Sequence, residues 1–138
     1  MADRYFAVID TNVLVSALIS SNPQSYPLQV FTNVYSGKIV PVFNEEILSE
    51  YREVLSRDNF HLDPQDVDDA LKVITSYGLE LARTTVIDEQ FPDAKDVVFY
   101  EVKMSKEDAY LVTGNIKHFP KKPFVVTPRE MVEIMSDN

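Results

Sequence analysis

Short apolar runs alternate with amphipathic segments along the chain, and this alternation limits the possible folds more than any other feature. "RYFAVI", "KIVPVF", "AYLVT" and "FVVT" are rich in Val, Tyr and Phe, as buried strands are. "LELARTTVI" reads as a further strand, and Pro41 within "KIVPVF" marks an edge position or a bulge. Helical patterns fill the intervals. "NVLVSALIS" follows the first run, and Ser25 with Pro27 opens "LQVFTNVYS", which Gly37 closes. Asn44 caps "EEILSEYREVL", where Ile47, Leu48, Tyr51 and Leu55 share one face. Asp63-Pro64 starts "QDVDDALKVITSY", and Gly78 ends it. "FPDAKDVVFYEVKM" opens as a loop and turns helical from about Lys95. "TPRE" is a capping box in which Thr127 caps and Glu130 reaches back, starting a last helix to about Met135. Strands separated by helices imply βαβ crossovers and a mainly parallel sheet covered on both faces, a three-layer α/β/α sandwich. At 138 residues the expectation is one domain, 1–138.

Composition removes several functions. With three glycines, and "DTNV" after the first strand, a G-x-G-x-x-G dinucleotide loop is excluded. The absence of cysteine excludes disulfides, thiolate metal sites and a thiol nucleophile, and fits the reducing cytoplasm. There is no basic-then-apolar leader pattern, and no apolar run approaches the ~18 residues of a spanning helix, so a soluble cytoplasmic protein is expected. A formal charge of −9 argues against a generic nucleic-acid binder, because phosphate contacts come from Lys and Arg. The charge is uneven, however: from Ala94 to Arg129 seven bases face four acids, so one part of the surface can meet phosphate.

The run "VIDTNVLVS" places Asp10 at the end of a strand that reads as fully buried. A buried carboxylate is costly unless it is paired. In parallel sheets the ligand crevice lies beyond the carboxyl ends of the strands. Those ends gather Asp10, the helix acids Glu45, Glu46 and Glu50, then Asp93 and Asp96, and Asn115 just beyond "AYLVT". His118 is the one nitrogen ligand nearby, the other histidine being His61. Clustered oxygen donors suit Mg²⁺ or Mn²⁺ rather than Zn²⁺.

Four segments in order, "VIDTNVLVSAL", "FNEEILSEYREVL", "PDAKDVVFYEV" and "YLVTGNIKHFP", resemble the PIN domain family. They are especially similar to its branch of toxins from toxin–antitoxin systems. The resemblance implies an endoribonuclease whose acidic pocket binds Mg²⁺ or Mn²⁺. It implies an RNA substrate, an antitoxin partner and a homodimer. The family's acids fall on Asp10, Glu50 and Asp96, with Asp93 as companion. The fourth position, usually aspartate after "TG", is Asn115 here. An amide oxygen brings no charge, so a second metal would bind more weakly. On the same reading Thr11 and Asn12 orient Asp10, Thr113 positions water or phosphate, and Glu46 is a reserve ligand beside Glu50. Lys117, His118, Lys121 and Lys122 are the phosphate contacts.

Plainer roles compete for the same residues. Asp10 is a good helix cap, Asp93 and Asp96 suit a helix N-terminus, and Glu50 has Arg52 and Glu53 as surface neighbours. Two other functions are weighed. A phosphatase with an aspartate nucleophile needs a second aspartate two residues on, where this chain has Asn12. A non-catalytic binding module fits Asn115 and the acidic balance.

Overall fold

The computed structural model describes residues 4–85 and 90–136. Five parallel strands form one sheet in the order β3-β2-β1-β4-β5: β1 (Tyr5–Ile9), β2 (Ile39–Phe43), β3 (Leu79–Glu80), β4 (Tyr110–Val112) and β5 (Val125–Val126). Six α-helices alternate with them: α1 (Thr11–Ile19), α2 (Tyr26–Tyr35), α3 (Glu45–Leu55), α4 (Pro64–Tyr77), α5 (Val97–Met104) and α6 (Pro128–Ser136). The result is a three-layer α/β/α fold. The central strand β1 runs into the core, with Ala7, Val8 and Ile9 at most 1% exposed. None of the helices among the described residues is long and apolar enough to cross a membrane.

The caps read from the sequence are present. Ser25, Asn44 and Asp63 accept hydrogen bonds from Leu28 N (3.3 Å), Ile47 N (2.8 Å) and Gln65 N (2.8 Å). Thr127 and Glu130 exchange the reciprocal pair of the capping box, at 2.8 and 3.1 Å. Gly37 takes the left-handed conformation (φ 82°) that lets the chain leave α2.

Three expectations change. Pro41 sits on β2, which is an inner strand; at Pro41 the strand pairs with Ala7 of β1, while β3 begins opposite Val42, so the missing N–H is tolerated where β2 is locally unflanked. Gly78 does end α4, but in extended backbone. A Cβ there would lie 2.4 Å from Ile74 O and 2.5 Å from Pro41 O, so glycine is required by close approach rather than by handedness. The strand expected over "LELARTTVI" shrinks to Leu79–Glu80. Leu81 N still donates to Phe43 O of β2 at 2.9 Å, but Ala82–Thr85 leave the sheet, with Thr84 N donating to Glu101 O at 3.0 Å, and Val86 and Ile87 lie outside the described residues.

Strand order positions the site. The chain winds from β1 to β2 to β3 on one side, then crosses to β4 on the other side of β1. The gap beyond the ends of β1 and β4 is therefore a topological switch point, where crossovers diverge and leave a crevice.

Candidate active site

Asp10 stands at that switch point. Its N–H donates to Val112 O of β4 at 2.9 Å, and its own carbonyl accepts from Val13 N at 3.0 Å to begin α1. The residue occupies the cap position, yet its side chain makes no capping bond. The carboxylate turns inward instead, 5% exposed. Thr113 Oγ1 donates to Asp10 Oδ2 at 2.7 Å, and Asn12 Nδ2 donates to the same oxygen at 3.1 Å. Thr113 Oγ1 in turn accepts from Asn115 N (3.0 Å), and Asn12 Oδ1 accepts from Gly114 N (3.0 Å). The turn after β4 is thus stitched to the turn after β1, which fixes Asp10.

The other acids come from two further elements. Glu50, half-buried on α3, accepts from Thr11 Oγ1 at 3.2 Å. Asp96 precedes α5, and its Oδ2 is buried with no hydrogen-bond partner among the described residues. His118 Nδ1 lies 3.3 Å from that oxygen, within ion-pair range but outside hydrogen-bond geometry. Asp93 is exposed and accepts from Lys95 N at 3.0 Å, capping the short turn Ala94–Asp96.

Electrostatics tie these groups into one neighbourhood. Burial lifts the Asp10 carboxyl to about 6; the Thr113 hydrogen bond opposes this, and the Asp96 and Glu50 charges add to it. Asp96 is raised as well, by burial and then by Asp93, against the counter-pull of His118. Tyr51, whose hydroxyl donates to Ile9 O, is held protonated well above its usual range by burial and by the Asp10 and Glu50 charges. Three carboxylates from three elements therefore repel one another in partly dry surroundings. As they lie, no three acidic or histidine side chains among the described residues have the spacing to enclose an ion. One oxygen of Asp10 accepts from both Thr113 and Asn12, one of Glu50 accepts from Thr11, and one of Asp96 faces His118. The donor chemistry still fits a hard divalent cation: carboxylate oxygens, one of them orphaned, and mutual repulsion that a cation relieves.

A profile of the PIN domain matches residues 7–117. The chain belongs to the PIN domain family. The fold of PIN domains is a nuclease-like one, and the family generally works on nucleic acid with divalent metal ions. No curated protein matches the chain.

Within this PIN domain the remaining predicted residues are dispersed. Asn115 and Lys117 are exposed on the loop after β4, and Lys121 and Lys122 lie further along it. Glu46 is drawn away to Arg83, whose Nη1 donates to Glu46 Oε2 while its Nε donates to buried Glu101, both at 2.6 Å. Sequence reasoning missed Arg83, which no motif marks. It also missed Gly114, where a Cβ would come within 3.3 Å of Asn12 Oδ1; the signal available was a glycine directly after a strand end.

Proposed function

We propose that the chain is a Mg²⁺- or Mn²⁺-dependent endoribonuclease, the toxin of a toxin–antitoxin pair, acting in the cytoplasm as a homodimer. The single observation that carries the nuclease reading is Asp10: a buried carboxylate at the switch point, raised to about 6 and facing like-charged Asp96 and Glu50. Asp10, Glu50 and Asp96 would hold the ion, with Asp93 and Asn115 as outer ligands and Glu46 in reserve. When bound, such an ion acidifies water and offsets the charge that develops on the phosphate. Thr113, Asn12 and Thr11 keep two of the carboxylates oriented through the hydrogen bonds described, and Lys117, His118, Lys121 and Lys122 meet the phosphates. The cysteine-free chain suits a reducing compartment.

The test is cleavage of labelled RNA by the purified chain with Mg²⁺, with Mn²⁺ and with chelator. Asp10→Asn and Asp96→Asn should each lose more than about 100-fold in rate, the upper end of what loss of an outer-shell metal partner costs. Calorimetric titration should show weaker Mn²⁺ binding in Asp10→Asn; unchanged affinity sinks the ligand assignment. A second reading, a non-catalytic RNA- or protein-binding module, is favoured by the neutral Asn115 and by the spacing of the acids. Absence of cleavage with either ion across varied RNAs would establish it.

A further inference from the structure

The short turn Ile116–His118 has two sides. His118 reaches toward Asp96 in the candidate site, whereas Ile116 and Lys117 line a groove of about 400 Å³ along the loop between β4 and β5. Pro123 and Val125 continue its apolar floor, and Lys121 and Lys122 stand on its rim. The volume lies within the ~300–1,000 Å³ of pockets that seat small organic groups. Ile116 is 46% exposed and lines the groove beside Lys117 and Lys121.

Charge narrows the occupant. In a chain of net charge −9, Lys117 and Lys121 line this groove beside one acid, Glu130, whose carboxylate is engaged by Thr127 N at 2.8 Å. An extended peptide pairing with the edge strand β5 is disfavoured, because the N–H groups of Val125 and Thr127 are already spent on Lys122 O and Glu130 Oε1. A positive rim over an apolar floor, opening beside the phosphate chemistry, matches a nucleotide whose base is unstacked and whose phosphates follow the lysines.

We infer that this groove is a nucleotide subsite outside the catalytic pocket, seating an unpaired base of the RNA strand adjacent to the scissile bond. The inference rests on the ribonuclease reading of the neighbouring site. A base within an A-form duplex stays stacked and cannot enter, so only its phosphates and ribose would reach the rim.

The experiment measures fluorescence anisotropy of a labelled 12-nucleotide single strand, and of the same strand annealed to its complement, over a salt series in EDTA. Without metal the result is independent of hydrolysis, so failure here and failure of the nuclease reading are separate outcomes. The wild type should bind the single strand at least tenfold tighter than the duplex. Ile116→Asp should abolish that preference. Lys117→Ala/Lys121→Ala should lower the slope of log K against log salt by about 1.4, two contacts at ~0.7 each on a single strand, and Lys117→Arg/Lys121→Arg should restore it. Circular dichroism checks that these exposed-site variants remain folded. An unchanged slope, or a preference retained by Ile116→Asp, overturns the subsite. Binding of a short Glu/Leu peptide that is lost in the lysine variant, with RNA affinity intact, overturns it in favour of a protein segment.

Discussion

Burial lifts the Asp10 carboxyl to about 6, with the charges of Asp96 and Glu50 adding to the lift and the Thr113 hydrogen bond only partly offsetting it. An unfolded aspartate titrates near ~3.9. Between those two values the folded chain keeps a proton that the unfolded chain has released, so stability falls as pH rises through that window. The accumulated cost at neutral pH is about 3 kcal/mol. Asp96 is raised and acts in the same direction. Asp108 is lowered by its hydrogen bond from Lys106, so its contribution is lost only on acidification below the ordinary carboxylate range, and the two windows do not overlap. In EDTA, therefore, the melting temperature should be higher at pH 5 than at pH 7.5. Asp10→Asn should flatten that difference and raise the value at pH 7.5 by several degrees. A melting temperature that climbs with pH, together with a destabilised Asp10→Asn, would show that the carboxylate is compensated without metal. The burial of Asp10 was legible from the sequence, because an apolar run ending in a charge announces it, and so was its local partner Asn12; the hydrogen bond from Thr113 comes from about a hundred positions away.

At the scale of elements, what could be read was what the local sequence determines, and what failed was decided by distant contacts. Caps at Ser25, Asn44, Asp63 and Thr127 are local hydrogen bonds and were foreseeable from residue type. The overlong third strand was not. Its β-branched run has strand character, but the segment is taken off the sheet by α5: Thr84 N bonds Glu101 O, Ser105 Oγ donates to Ala82 O, and Arg83 spans Glu46 and Glu101. Arg83 is a clasp between α3 and α5, and its two ion pairs should differ in strength. The Glu101 side chain is 6% exposed and Glu46 is 56% exposed. The pair with Glu101 is made by a buried carboxylate, where attraction is little screened, whereas the Glu46 pair is screened by water. Urea titrations in double-mutant cycles should give Arg83/Glu101 a coupling of about 1–2 kcal/mol and Arg83/Glu46 less than about 0.5 kcal/mol. Equal couplings would mean that burial of Glu101 contributes nothing to the clasp.

For the whole molecule, the fold class follows from alternation alone, whereas the meeting of Asp10, Glu50 and Asp96 does not follow from any spacing in the chain. It follows from strand order, which brings the turn after β4 beside the turn after β1 and sets α3 and the start of α5 around them. This convergence makes stability and ligand binding one quantity. An ion that binds the folded state alone stabilises it by RT ln(1 + [L]/Kd), about 2.7 kcal/mol at a hundredfold excess over Kd, and at this site it would offset the burial, and after it the repulsion, that raise Asp10 and Asp96. Thermal melts at pH 7.5 should therefore rise with the logarithm of Mn²⁺ concentration. The rise should shrink at pH 5, where protons compete for the same oxygens, and it should be lost in Asp10→Asn and Asp96→Asn. Lys72→Ala, a change on the remote exposed side of α4, should leave it intact. If Mn²⁺ moves the melting temperature equally in wild type and in Asp10→Asn, the carboxylates gathered at the switch point are a feature of the fold and not a metal centre.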